Sequence, residues 1–121
     1  MFTKYDDFQL ARNHARKAIE LTSDWGEPYI LIGNLYASSS KMCGENEFEK
    51  STIFWAAVDK FEQAKAIDSE VNGEATELIR KYSQYFPNAE DAFFYGFEDG
   101  QPYTIGCWIN ENTKVRTRKR P

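Results

Sequence analysis

The chain has 121 residues, of which 41% are hydrophobic and 16% aromatic, and its formal net charge is −4. This length predicts a single domain over 1–121, and the aromatic content favours a packed domain over a disordered chain. The acidic balance argues against a nucleic-acid binder that uses its whole surface. No apolar stretch approaches the roughly 20 residues of a membrane span.

Apolar spacing predicts helices over the first two thirds of the chain. Ala11, Ala15 and Ala18 lie at i, i+4 and i+7, which is the spacing of one helix face. Tyr29 and Tyr36 have a similar spacing in the next segment. The predicted helices lie near 6–22, 26–38, 47–67 and 72–85.

Helix-capping residues support these boundaries. Asp24 with Glu27 has the spacing of a capping box before the second helix, and Asn46 with Glu49 has it before the third. Asn72 is expected to cap the fourth helix.

The sequence repeats itself when it is shifted by 46 residues. Small residues then align with small ones and apolar residues with apolar ones, as for Ala18 with Ala64. Gly33 lies inside a predicted helix, where glycine costs about 0.5–1 kcal/mol relative to alanine. Such a residue predicts a helix crossing at which no side chain fits, with Phe61 filling the gap between the helices.

The motifs of the two helix pairs resemble the tetratricopeptide repeat (TPR) pattern of aromatic-x2-Leu-Gly-x2-Tyr, then Ala-x3-Phe-x2-Ala. They are Tyr29-x2-Ile32-Gly33-x2-Tyr36 and Ala57-x3-Phe61-x2-Ala64. The family period is 34, so a period of 46 leaves 12 additional residues, expected as an inserted loop near 38–49. Ser69 replaces the family's closing proline. The resemblance implies a mainly α fold, a TPR-like solenoid of antiparallel helix hairpins over 6–86.

The segment 87–121 is predicted to cap this solenoid. Asn88 can cap a short fifth helix over 89–95, and the β-forming residues 103–109 and 113–117 predict a β-hairpin. A hairpin is marginally stable alone, so one side of it is expected to pack on the last helices. That side carries Tyr103, Ile105, Cys107 and Ile109.

This terminal segment also resembles the ends of TPR proteins from Bacteroidetes. The shared runs are Phe86-Pro87, Ala92-Phe93-Phe94, Cys107-Trp108-Ile109 and Val115-Arg116. The resemblance implies a longer and often exported parent protein, with the chain opening on the second helix of a repeat. The expected compartment is therefore extracytoplasmic, in the periplasm or cell envelope, for a fragment of an exported parent, and cytoplasmic otherwise.

Cys43 and Cys107 allow two interpretations. An even cysteine count permits one disulfide, which in an exported chain would join the inserted loop to the cap. Closing a loop of this length contributes about 4 kcal/mol in the chain-entropy model. In the cytoplasm both would remain thiols, and two unrelated cysteines, one of them buried, are the alternative.

Few residues point to catalysis or metal binding. His14 is the single histidine, and metal sites need three or four suitably spaced ligands, so no metal and no cofactor are predicted. Carboxylates such as Glu45 and Asp91 lie at loops and helix starts, which favours solvation and capping over acid–base chemistry. The sequence shows no nucleophile elbow and no phosphate-binding glycine loop, so the chain is predicted not to be an enzyme.

Two compositional features leave alternatives open. Phe93, Phe94, Tyr95 and Phe97 crowd one stretch and form either core or a partner-facing patch. A basic run near the end is either a solvated strand edge and terminus, or an electrostatic contact with an acidic partner or with acidic helices of this chain. Its cations are Lys114, Arg116, Arg118, Lys119 and Arg120.

The resemblance also places candidate ligand contacts on the first helix of each pair. These groove positions are Glu27, Ile30, Asn34, Ala37, Ser38, Gly73, Thr76, Arg80, Ser83 and Gln84. They predict a non-enzymatic scaffold for a protein or peptide partner of unknown identity. One alternative is a structural assembly unit, either a homo-oligomer or the C-terminal part of a larger envelope protein. A minor alternative is a weak RNA contact through the basic tail.

Overall fold

The computed structural model describes residues 6–118, and this part of the chain is mainly helical with one small antiparallel sheet. The elements in chain order are α1 Asp6–Leu21, α2 Glu27–Ser38, α3 Glu47–Ile67, a 3-10 turn Ser69–Val71, α4 Asn72–Ser83, α5 Ala89–Phe94, β1 Pro102–Ile105 and β2 Glu111–Lys114. The four main helices, the short fifth helix and the hairpin predicted from the sequence are confirmed.

Consecutive helices pack on each other, α1 on α2, α2 on α3 and α3 on α4. Four successive residues of α3, Trp55–Val58, are all buried. This is possible because α2, α4 and the two strands all contact α3. The third helix therefore forms the centre of the core, where Ile32, Tyr36 and Phe61 are also buried.

The close approach of α2 and α3 depends on Gly33. A Cβ atom at Gly33 would lie 2.5 Å from Cε1 of Phe61, which is far inside van der Waals contact. The phenyl ring of Phe61 is fully buried. The predicted crossing is confirmed, because the absent side chain of one residue provides the space for the ring of the other.

Two of the four predicted helix caps are confirmed. The side chain of Asn46 accepts a hydrogen bond from the Glu49 N–H at 2.8 Å, and that of Asn88 accepts one from the Asp91 N–H at 2.7 Å. Each asparagine satisfies a donor of the first helical turn that has no partner within its helix.

The capping roles predicted for Asp24 and Asn72 are wrong, because in the described part of the chain neither α2 nor α4 begins with a side-chain cap. Asp68 instead supplies hydrogen-bond acceptors just before α2 and in the 3-10 turn before α4. Its carboxylate accepts hydrogen bonds from the N–H of Gly26 at 2.8 Å and from that of Glu70 at 3.0 Å. Gly26 precedes α2, and Asn72 is the first residue of α4. A contact across 42 residues of sequence thus serves the start of α2, and a local one serves the 3-10 turn that precedes α4.

The strands are shorter than predicted. Cys107 and Asn110 have φ angles of 58° and 49°, which belong to the left-handed region and cannot continue a strand. The intervening residues form a turn over 106–110, and β1 pairs with β2 from Pro102 opposite Lys114 to Ile105 opposite Glu111. Ile105 and Ile109 are buried, as expected of the predicted packing side, whereas Tyr103 is half-buried and Cys107 is exposed.

Of the last helices of the predicted solenoid, α3 is the one on which the hairpin mainly packs. The Trp55 indole meets the Tyr103 ring edge-on at 5.3 Å between centroids, and its Nε1–H donates to the Arg116 carbonyl at 2.8 Å. The Thr113 hydroxyl donates to an Asp59 carboxylate oxygen at 2.5 Å. The N–H of a buried tryptophan usually finds a hydrogen-bond acceptor, and the segment after β2 supplies one for Trp55 next to α3.

Candidate ligand-binding groove

The segment that follows β2 runs beside α3 and α4 and encloses a surface concavity of about 640 Å³ with them. Among the described residues, three guanidinium groups and one carboxylate contribute to its lining, together with uncharged polar side chains and one aromatic ring. We call this concavity the basic groove. Its residues are Glu62, Arg80, Ser83, Gln84, Phe86, Arg116, Thr117 and Arg118.

Arg116 is fixed in the wall of the basic groove by several hydrogen bonds. Its Nη2 donates to the Trp55 carbonyl and to an Asp59 carboxylate oxygen, both at 2.8 Å, and to the Thr113 hydroxyl at 3.0 Å. The guanidinium lies 5.5 Å from the centroid of the Phe86 ring. Of the two interpretations of the basic run, contact with an acidic helix of the same chain is therefore confirmed for Arg116.

Arg80 and Arg118 are more available to a ligand. Arg80 is exposed and bonds Glu77 one turn earlier on α4 at 3.0 Å, an exposed pair of a kind that contributes little. The backbone N–H of Arg118 donates to the Pro87 carbonyl at 2.8 Å, which fixes the chain direction there. The Arg118 side chain is exposed and forms no ion pair within residues 6–118. Lys119 and Arg120 lie outside the described residues.

The structure brings together three of the predicted groove residues, Arg80, Ser83 and Gln84. The candidates Thr76 and Gly73 lie earlier on α4 and do not line the groove. Neither do those of α2: Glu27 and Ser38 are exposed, Asn34 is half-buried, and Ile30 and Ala37 are buried in the core. A ligand contact at any of these residues remains a prediction.

A second feature, a buried polar network, joins the helices to the hairpin. The guanidinium of Arg12 on α1 donates to the Tyr36 hydroxyl at 3.0 Å and to the carbonyls of Ile109 and Trp108 at 2.7 and 3.1 Å. It lies 4.8 Å from the centroid of the Trp108 ring. The Tyr36 hydroxyl in turn donates to Glu111 of β2.

Glu111 is the acidic member of this network. Lys60 lies 2.8 Å from one of its oxygens and Arg16 3.6 Å from the other. Burial raises the pKa of Glu111, but hydrogen bonds from Lys60 and Tyr36 and the charges of Lys60 and Arg16 outweigh it, so the pKa lies below its ordinary value. Burial, followed by the hydrogen bond to Glu111, raises the pKa of Tyr36 to about 12. At neutral pH Glu111 is therefore ionised and Tyr36 is protonated, which suits a structural role for both groups.

The fold brings the two cysteines together at the hairpin turn, which contains Cys107. The sulfurs of Cys43 and Cys107 lie 2.20 Å apart, at disulfide distance, which would join the inserted loop to the cap. His14 is exposed on α1. Among residues 6–118, no group of three or more His, Cys, Asp or Glu side chains is arranged to hold a metal ion. None of the described helices combines the length and apolar character needed to cross a bilayer.

Comparisons with protein-family models, curated proteins and solved structures gave no match. Arg116 and Arg118 were known from the sequence only as members of a basic run, and their place beside Arg80 depends on the course of the chain after β2. Arg12 carried no signal at all, because a single arginine on an amphipathic helix normally faces solvent.

Proposed function

We propose that this protein is a non-enzymatic helical-repeat module of the TPR type that binds an extended segment of a partner protein in the basic groove. The single observation that carries the proposal is that Arg80, Ser83 and Gln84 of the predicted ligand-binding helix share one concavity with Arg116 and Arg118. The TPR assignment itself is supported by the Gly33–Phe61 crossing and by the consecutive packing of α1 to α4.

The chemistry of the groove fits a peptide that carries a few carboxylates. The hydroxyls of Ser83 and Thr117 and the amide of Gln84 can bond an extended backbone, whose own N–H and C=O groups need partners. The exposed guanidinium of Arg118 can form a two-pronged bond with a carboxylate. Arg80 can exchange its exposed partner Glu77 for a ligand carboxylate at little cost.

A nucleic acid fits this groove less well. Glu62 lines it, and Asp59 and Glu77 each pair with one of its arginines. A continuous polyanion would meet these three carboxylates along with the three arginines, whereas a short peptide can place its carboxylates at the arginines alone. The charge pattern therefore favours a protein segment over RNA.

The test uses the full chain and a short fluorescent peptide of alternating Glu and Leu, with a Gln–Leu peptide of equal length as the neutral probe. We expect tighter binding of the Glu peptide, weakening as salt is added. Arg118→Gln is expected to lower affinity about fivefold, as the loss of one charge-assisted contact predicts. Lys81→Gln is the matched control, since it changes the same charge on α4 beside the groove without lining it.

Three outcomes would count against the proposal. They are equal affinity for both peptides, equal loss in the Arg118→Gln and Lys81→Gln variants, and tighter retention of a single-stranded RNA than of the Glu peptide. Light scattering on the free chain tests the assembly alternative, because an obligate oligomer that buries Arg118 would favour it.

A further inference from the structure

Helix α5 carries two phenylalanines whose rings are largely exposed to solvent. Phe93 is 74% exposed and Phe94 is 81% exposed, although Ala92 just before them is buried. The next aromatic residues do anchor the segment, since Tyr95 and Phe97 both stack on the ring of Phe48. The segment is therefore held firmly on one side and presents two aromatic rings to solvent on the other.

Phe93 forms part of a second concavity, of about 410 Å³, which we call the α5 pocket. Its other residues come from the start of α5, from the loop before β1 and from the segment after β2. The lining includes Glu90, Phe93, Phe97, Glu98, Asp99 and Thr117, but not Phe94. A concavity of this volume has room for one long side chain and its neighbouring backbone.

The α5 pocket is acidic as well as aromatic. Among residues 6–118, three carboxylates line it and no cationic side chain does. Asp99 accepts hydrogen bonds from the Thr117 backbone N–H at 2.7 Å and from the Thr117 hydroxyl at 2.9 Å. Both donors are uncharged, so they hold the carboxylate in place at the pocket wall without neutralising it.

We propose that the α5 pocket binds a basic segment of a partner protein, with an arginine or lysine side chain lying over the Phe93 ring and between the carboxylates. A cation over an aromatic face is attracted by the negative charge of the π system. The nearby carboxylates add charge-assisted hydrogen bonds. An apolar residue next to the cation in the partner would cover the remaining surface of Phe93.

Charge complementarity selects a basic protein segment over other partners. Phospholipid headgroups and nucleic acids both present phosphates, which the carboxylates at this pocket repel. The site is distinct from the basic groove, and Thr117 lies between the two because it lines both. Peptides of opposite charge should therefore bind on opposite sides of the same segment.

The test is a titration of the full ¹⁵N-labelled chain with a short peptide of alternating Arg and Leu, followed by amide chemical shifts. We expect the largest shifts around Phe93, Phe97 and Asp99. Phe93→Ala should weaken binding at least about fivefold, as loss of a desolvated cation–π contact predicts. Phe94→Ala is the matched control, because it removes an equally exposed ring outside the pocket, and its effect should stay within about twofold.

A further variant, Glu98→Gln, removes one charge from the pocket and should weaken the Arg–Leu peptide about threefold without changing its binding site. The proposal is overturned if Phe93→Ala and Phe94→Ala act equally, if a Glu–Leu peptide gives the same shifts here, or if anionic vesicles bind through Phe93 in preference to the peptide. Arg118→Gln separates this site from the groove, since it should leave Arg–Leu binding intact whether or not the Glu–Leu peptide binds.

Discussion

The helices α1–α4 and the C-terminal cap are held in place by different kinds of interaction. Between the helices, contact is mainly apolar and depends on fit, as where the Phe61 ring lies against Gly33. The cap shares the apolar core through Ile105, Ile109 and Val115, but polar groups from distant parts of the chain also join it to the helices, above all Arg12, Trp55 and Asp59. A two-stranded hairpin is marginally stable alone, so the cap depends on this shared core and on directional bonds to α1 and α3.

This difference matters for function because the basic groove lies where the cap meets the helices, and the α5 pocket lies within the cap itself. The basic groove needs the segment after β2 to lie beside α4, and the α5 pocket needs Thr117 to lie beside Asp99. Without the segment after β2, the basic groove would keep only Glu62 of α3 and the residues Arg80, Ser83, Gln84 and Phe86 at the end of α4 and just after it. Variants that loosen the cap should therefore reduce binding even where the helices remain folded.

The largest expected effect is on the cap, through Arg12. Arg12→Met keeps the apolar stem but leaves the carbonyls of Trp108 and Ile109 and the Tyr36 hydroxyl without their buried donor. We expect the free energy of unfolding in urea to fall by about 3 kcal/mol. Arg16→Met is the control, because Arg16 is exposed and its ion pair with Glu111 is 3.6 Å long. This substitution should lower the free energy of unfolding by less than about 0.5 kcal/mol. Similar losses in both variants would show that the network does not hold the cap.

The next effect tests the fit between the helices. Gly33→Ala places a methyl group against the Phe61 ring and should lower the free energy of unfolding by about 2 kcal/mol, the usual cost of overpacking. Gly73→Ala is the same change at a helical glycine with open space around it, and it should stabilise by about 0.5–1 kcal/mol. A neutral Gly33→Ala variant would contradict the close α2–α3 crossing.

The smallest expected effect is the acid sensitivity of the network. The pKa of Glu111 is lower in the folded chain than its ordinary value of 4.5. The stability that its carboxylate contributes is therefore present above that value and is lost as the pH falls through the folded-state pKa. Urea unfolding at neutral pH and below pH 4.5 should show a smaller acid loss for Glu111→Gln than for the parent chain. An unchanged pH dependence would place the acid-sensitive carboxylates elsewhere.

Much of the helical part could be predicted from the sequence because its determinants are local. Apolar spacing fixed the type and approximate bounds of α1 to α4, and the caps Asn46 and Asn88 lie three residues from the N–H groups they bond. The capping role of Asp68 was missed because its acceptor atoms serve Gly26, 42 residues away. Strand lengths were overestimated because β-forming residues continue through a turn whose φ angles are positive.

By itself, then, the sequence determined the order of the elements, the crossing at Gly33 and the possibility of a pair between Cys43 and Cys107. Only the tertiary structure decided that the hairpin lies on α3, that Arg12 is buried beneath it, and that basic and acidic concavities flank Thr117. The physical reason is the separation along the sequence between the residues that interact. Helix periodicity and most caps act within a few residues, whereas a charged groove depends on which distant segments the packed core brings side by side.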